Sequence, residues 1–374
     1  MLIVRVENND KERMGRFVNL PWKLYAGDRD YIPPFRKTID AYFDSRTNPF
    51  YSYGDSACFI AVSGNNETLG RAAAFVNPGM DRDGRRVGTV GFYECEHDSK
   101  VSSMLLSSAV EWLKKAGCND IYGPMNFSIW NSYRFKTSGF ENGTYYGEPN
   151  NKAYYPQQFM SFGFREHTRW NSSEISLEKL PCVFATKYQK YKRRYEGSLE
   201  KDYKFSHNEP RNFNNEICAI YELIFDSYSG FTGFYRISPE EFEYLYGDLK
   251  KIVKPGQIIF AKRNGRFHGV LIQHYDVSGA LRAMKGNKGI VPEMRHLFSP
   301  KKAVLVCPFL AVSKESVRNA DGLGSALIYL SYKNAIESGV PRLVHSLMSE
   351  GNVSKSFSQG VGRAIGTYTL YRLP

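Results

Sequence analysis

The chain reads as α/β (α+β) in class and as two similar units in organisation, on three observations. Apolar strand-like runs are interleaved with helical segments whose apolar residues share one face. Two strand pairs close on turn sequences, Gly64-Asn65-Asn66 and Asn264-Gly265, and Asn-Gly between apolar runs is a strong hairpin signal. Residues 16–170 and 205–374 also pass through the same coarse order of elements at low residue identity.

The opening MLIVRVENNDKERMGR has too short an apolar part for a signal peptide, and no run approaches the ~20 apolar residues of a membrane span. A cytoplasmic protein without membrane insertion is expected. A polar, partly helical stretch (16–43) precedes the strand pair CFIAVSGNNETLGRAAAFVN. The strand VGTVGFYECEH follows, then a helix carrying Leu105, Leu106, Ala109, Val110 and Leu113, then the strand DIYGPMN. Residues 126–151 are polar, glycine-rich and aromatic, which fits either a loop over a substrate cleft or a surface excursion.

Residues 171–204, charged and poorly periodic, read as a connection, which places the domains at 1–170 and 205–374. In the second half, helices with Phe213, Ile217, Ile220, Tyr221 and Ile224, then Phe242, Leu245 and Leu249, precede the hairpin IIFAKRNGRFHGVLIQHYD. The buried strand AVLVCPFLAV, a glycine turn, a helix to about Ser338 and the strand RLVHSLMSEGN complete the parallel.

At 374 residues the chain can bury two cores, and 42% hydrophobic with 24% charged residues exclude a disordered or low-complexity protein. Its 26 Tyr and 25 Phe serve either packing or an aromatic substrate channel. Fifty Lys plus Arg against 38 Asp plus Glu give +12, which favours an anionic partner such as a nucleotide cofactor, tRNA or a membrane surface. The densest basic run, Lys187 to Arg194, fits a solvated helix face or a nucleic-acid contact. Six cysteines lack CxxC spacing, so they read as reduced core thiols, and no metal site is expected.

The glycine turn is the most informative segment. Arg318-Asn319-Ala320-Asp321-Gly322-Leu323-Gly324-Ser325 joins the 303–312 strand to a helix whose Leu323, Ala326, Leu327 and Leu330 share a face. Glycines there bend the backbone tightly and bare N–H groups where the helix dipole is positive, a cradle for phosphate or else an ordinary strand-to-helix turn. Pro308 cannot donate a ladder hydrogen bond, so it predicts either a bulge and a splayed neighbour, open to an extended ligand arm, or a sheet edge.

This order of elements resembles the Gcn5-related N-acetyltransferase (GNAT) superfamily, in both halves. Asn319-x-x-Gly322-x-Gly324 is similar to that family's Gln/Arg-x-x-Gly-x-Gly/Ala pyrophosphate loop, with Asn319 in place of Gln or Arg and Arg318 beside it. The segment from Tyr154 to Phe164 is similar to the family's late tyrosine-to-Gly-Phe ending. The resemblance implies two tandem GNAT-like domains, each a mixed, mainly antiparallel sheet flanked by helices. It implies acetyl-CoA or a longer acyl-CoA as co-substrate, held by Arg318, Asn319, Gly322, Gly324 and Ser325, with Leu310, Ala311 and Val312 along the pantetheine arm and Asn352 hydrogen-bonding it. The first half has Cys95 to Val101 in place of the loop, with no glycine and two acids, so it reads as a degenerate copy.

The function expected is N-acyl transfer from acyl-CoA to the amine of a small molecule by direct attack. Such a transfer needs a base, a polarised carbonyl and an acid for the thiolate. Glu350, His274 and His345 are candidates for the base, with His345 also readable as a core histidine. Gln359 stands near where the family often has its acidic tyrosine, which leaves Tyr368 and Tyr371 as substitutes. Cys307, in a strand without an identifiable base, reads as inert, and Glu94 and Glu96 face either an amine or ordinary strand surroundings. Two other readings remain open at this level: a Fem-like aminoacyl transferase using aminoacyl-tRNA, and a noncatalytic binding or regulatory protein on the same scaffold.

Overall fold

The computed structural model describes residues 1–7, 9–178, 185–209, 211, 213–231, 233–247, 253–287 and 303–374. Leu249 and Cys182 lie outside these residues. The first half carries β1 (Leu2–Val6), β2 (Asp55–Val62), β3 (Thr68–Val76), β4 (Val87–Cys95), β5 (Asp120–Gly123), β6 (Phe135–Ser138) and β7 (Arg165–Ser176). The second carries β8 (Lys204–His207), β9 (Ile258–Arg263), β10 (Arg266–Tyr275), β11 (Val304–Val312), β12 (Arg342–Ser349) and β13 (Arg363–Leu373).

Local chemistry accounts for the elements. In the hairpin turn between β9 and β10, Asn264 and Gly265 both adopt positive φ (52° and 76°), which matches the twist of the flanking strands. The Ser99–Lys115 helix starts on Asp98, whose carboxylate accepts from Lys100 N and Val101 N, and it buries Val101, Leu105, Ala109 and Leu113 on one face. Strands β3 and β4 are apolar almost throughout because helices cover both of their faces.

Each half is three-layered. On one sheet face the Ser99–Lys115 and Tyr155–Phe162 helices cover the first half and the Leu323–Glu337 helix covers the second. On the other, the Lys11–Leu24 and Arg36–Tyr42 helices answer the Phe213–Tyr228 and Pro239–Tyr246 helices. Within the charged 171–204 segment, Ala185–Arg194 is a helix, and Tyr191 packs it into the second core.

The sheet is continuous, in the order β1-β2-β3-β4-β5-β13-β7-β12-β11-β10-β9-β8, mainly antiparallel with parallel pairs at β4–β5 and β11–β12. The halves exchange their last strands. β13 leaves the second half and pairs with β5 through Tyr371↔Gly123 to Leu373↔Ile121, while β7 leaves the first half and pairs with β12 through Arg342↔Ser176 to Ser349↔Trp170. The two exchanged strands pair with each other along Arg363–Arg372. The expected boundary at residue 170 therefore falls within β7, a strand that both halves share.

Leu370 is 1% exposed on β13, between strands of the two halves. Leu370→Ala should cost about 2–5 kcal/mol. Hydrogen exchange should then speed up in β5 of the first half as well as in β12. Acceleration confined to the second half would contradict the shared sheet.

Candidate active site

The second half contains an opening in its sheet. β11 and β12 pair from Val304↔Arg342 to Cys307↔His345, and the pairing ends there. Pro308, with no N–H, comes next, and the β10–β11 register slips between Ile272↔Phe309 and His274↔Val306, a β-bulge. β12 is irregular at the same level: Leu347 has φ 55°, and its N–H bonds Ser172 Oγ at 3.0 Å. The proline therefore marks a bulge where two parallel strands separate.

The first half closes the equivalent opening with its own backbone. β4 and β5 pair from Val87↔Asp120 to Thr89↔Tyr122. Beyond them, Met125 N donates to Val90 O at 2.8 Å and Phe92 N donates to Asn126 Oδ1 at 2.7 Å. A Cβ on Gly91 would stand 2.3 Å from Met125 O, so this fold-back requires glycine. The helix behind it is capped by Asp98, which leaves the first half neither a gap nor a bare helix terminus.

In the second half, Gly322 (φ 83°) caps the Leu323–Glu337 helix, and Gly324 lies close to Val312 and Phe357. A Cβ on Gly322 would come within 2.9 Å of Arg194 Nη1, so the last arginine of the basic run lies against the turn. Lys190 and Arg194 line the same cleft, whereas the run alone reads as a solvated face. Asp321 complicates the cradle: its carboxylate accepts from Leu323 N at 2.9 Å and from the Tyr203 hydroxyl at 2.7 Å. Along the expected arm, Leu310 O accepts from the Tyr228 hydroxyl at 2.9 Å and Val312 N donates to Ser227 Oγ at 3.3 Å. Ala311 is buried behind them, and Asn352, on the rim, accepts from Ser354 N at 2.9 Å.

Strand alternation sorts the remaining groups onto two faces. Gln273 accepts from Ser331 at 2.6 Å and His345 Nε2 lies 3.2 Å from the Tyr332 hydroxyl, so both point to the Leu323–Glu337 helix. Their neighbours His274 and Ser346 point the other way, toward the first-half loop. The His274 ring lies 5.7 Å from that of Tyr146, and Ser346 donates to Glu148 Oε1 at 3.0 Å. Glu148 also accepts from Ser172 at 2.5 Å and from Tyr145 N at 3.3 Å. Burial holds the His274 imidazole below its ordinary value of 6.5. His274 Nδ1 lies 2.9 Å from Tyr275 O, which can only accept, so the neutral ring carries its proton on Nδ1 and presents an unprotonated Nε2. The Cys307 thiol is pushed up to about 12 by burial, which keeps it a thiol.

The other expected site residues are dispersed. Glu350 is exposed, 3.8 Å from Lys355 Nζ, accepts from Asn171 and lies outside the cleft lining. Tyr371 is carried by β13 into the first-half core beside Phe135 and Phe159, away from the glycine turn, and Tyr368 is fully buried on the same strand. Glu94 lines the first-half end of the cleft, accepting from Tyr155 at 2.8 Å and facing Arg71 at 3.9 Å, whereas Glu96 pairs with Lys23 at the surface. Arg318, Ser325, Asn352 and Gln359 line the cleft. Arg134, Glu148, Arg194 and Tyr228 also line it, and the sequence carries no signal for them beyond the polar, aromatic 126–151 loop and the basic run.

The cleft runs between the halves with a volume of about 2320 Å³, from Tyr31 and Tyr42 past Trp130, Tyr133 and Trp170 to Phe309 and the glycine turn. The aromatic residues divide between uses: Phe17, Phe50, Phe75 and Phe127 pack a core, while these others wall the cleft.

No family model matches the sequence. The chain is 24% identical over 283 residues to a bacterial ceramide synthase of Caulobacter vibrioides, covering 72% of this chain and 69% of that protein. Among solved structures, a tandem GNAT protein from the clavulanic acid biosynthesis pathway superposes with a TM-score of 0.53 at 12% identity, over 99% of this chain and 97% of that one. The GCN5-related glucosamine N-acetyltransferase region of a fungal multi-domain GH3 β-N-acetylglucosaminidase gives 0.53 at 14% identity, and this chain spans 38% of that protein's length. The fold of this chain is a tandem-domain GNAT fold.

Proposed function

We propose that the protein is an N-acyltransferase in which the second half holds acyl-CoA and a long acyl group passes directly to the amine of an amphiphilic acceptor. The observation that carries this reading is the opening between β11 and β12. It lies between the glycine turn and the aromatic cleft, and its counterpart in the first half is closed.

In this reading the pyrophosphate meets Gly322, Gly324, Ser325 and Arg318, with Arg194 offsetting the charge of Asp321, while Asn319, exposed and outside the cleft lining, does not reach it. The pantetheine arm lies along Leu310, Ala311 and Val312 in place of the Tyr228 and Ser227 bonds, with Asn352 at the rim. Ligand pockets usually measure ~300–1,000 Å³. A cleft of about 2320 Å³ walled by aromatic residues has room for more than one such ligand, which favours an acyl chain together with a long-chain acceptor. The similarity to a bacterial ceramide synthase supports the same reading, since a ceramide is an N-acylated long-chain amine.

The acceptor enters as an ammonium and gives a proton to His274 Nε2. The freed nitrogen attacks the thioester carbon, the new C–N bond forms as the C–S bond breaks, and the second proton that the nitrogen sheds passes to the departing thiolate. Tyr228, with its hydroxyl at the Leu310 carbonyl, is placed to relay that proton, giving its own to the thiolate and taking the one from nitrogen. Cys307 takes no part, because burial keeps its thiol protonated and its Sγ lies against Gln273 and Ser331 rather than a base.

Calorimetry should detect saturable CoA binding that is lost in Gly322→Trp and Gly324→Trp, and weakened roughly tenfold or more in Arg194→Ala. Binding of tRNA without CoA would reject the proposal in favour of aminoacyl transfer.

His274→Gln should lower kcat by roughly 10²–10⁴ while leaving CoA affinity unchanged. Because His274 is neutral down to a pH below 6.5, wild-type kcat/KM should hold through pH 6.5 and fall as the pH drops through the lowered pKa. An acid limb unchanged in the variant's residual rate would remove His274 from the role of base.

A further inference from the structure

Two arginines lie along the cleft, Arg71 buried and Arg134 half-buried, and they are treated differently. Arg71 has an answering carboxylate in Glu94 at 3.9 Å and donates to Phe17 O at 2.8 Å. Arg134 has no ion pair among the described residues, and its Nε and Nη1 are buried without a hydrogen-bond partner. Its guanidinium lies 3.9 Å from the Tyr133 ring and 4.4 Å from the Trp170 ring, both of which line the cleft. These faces hold the cation in place and leave Nε and Nη1 unanswered. The Glu148 carboxylate favours the Arg134 charge without pairing with it, and its oxygens are taken by Ser172, Ser346 and Tyr145 N.

The backbone adds an independent observation. Arg134 adopts φ 73°, a left-handed conformation that costs a non-glycine residue energy, while its N–H bonds Pro124 O at 2.8 Å and the adjacent Tyr133 bridges Met125. The chain thus bends, at a cost, to hold a cation among aromatic rings where desolvation works against its charge. A buried charge without a partner is destabilising, and a ligand that brings the opposite charge removes that penalty.

We propose that Arg134 is a specificity residue that pairs with an oxyanion, a carboxylate or phosphate, carried near the amine of the acceptor. The planar fork of the guanidinium suits two oxygens at once, whereas a simple long-chain amine or alcohol leaves it unanswered. The proposal rests on the acyl-transfer reading only in calling this ligand the acceptor.

The test is a titration of the full chain, followed by Trp170 fluorescence with Trp170→Phe as the control, using 2-aminododecanoate, dodecyl phosphate and dodecylamine. One or both anionic probes should bind roughly tenfold or more tightly than dodecylamine, and which of them does so names the head group. Arg134→Met should abolish that preference, and Arg134→Lys should retain only part of it. Because Arg134→Met replaces an unpaired cation with an apolar chain of similar length, its melting temperature should hold or rise. Equal binding of all three probes, a preference that survives in Arg134→Met, or a lowered melting temperature in that variant would overturn the proposal. No acyl donor is needed, so absence of acyl transfer would defeat the preceding proposal and leave this result standing.

Discussion

The structure depends on one exchange of strands. β13 supplies the pairing that β5 of the first half lacks, and β7 supplies the pairing that β12 of the second half lacks. Backbone hydrogen-bonding groups buried in a sheet centre must find partners, so neither half can be completed by its own residues. The exchange also positions the cleft. By laying β7 against β12, it brings Ser172 and the 144–148 loop of the first half onto the face of the second that carries Ser346 and His274.

Both halves keep the parallel pair that makes an opening possible, but they treat it differently. In the first, Met125 and Asn126 satisfy the edge of β4 with local hydrogen bonds, and Gly91 allows the close approach. In the second, Pro308 removes a donor, and Tyr228 and Ser227 bond the β11 edge through side chains. Side chains can swing away when a ligand arrives, whereas a folded-back main chain cannot do so without unmaking β5. A ligand arm along β11 therefore displaces two hydrogen bonds of modest net worth, about 0.5–1.5 kcal/mol each.

Electrostatics inside the cleft follow from its aromatic walls. Burial holds His274 neutral and the Cys307 thiol protonated, and it raises the Glu94 carboxyl, a shift that Arg71 opposes. Each charge there needs a named partner. Glu148 has its two serines and a backbone N–H, and Glu94 has Arg71 and Tyr155. Arg134 has ring faces and no ion pair among the described residues. The +12 charge that reads in the sequence as attraction to an anion is in part local, through Lys190 and Arg194 at the glycine turn.

Local pattern was enough to determine the hairpins, the main helices, the place of the glycine turn and the duplication, because each is encoded by residues near one another in the chain, whereas Pro308 left a bulge and a sheet edge equally open. His274 was legible as a candidate for the same reason, being a titratable residue at a hairpin's end. The partners of these elements were not legible. Tyr371 reads as a terminal-strand substitute for the family's acidic tyrosine, yet β13 carries it into the other half's core. Glu350 reads as a base just past the last buried strand, yet it stands in solvent with Lys355. Glu148, Arg134, Arg194 and Tyr228 come to the cleft from distant segments, and no periodicity marks them. Strand exchange and burial are properties of pairings across more than a hundred residues, so only the tertiary structure decides which side chains share the dry space where a charge matters.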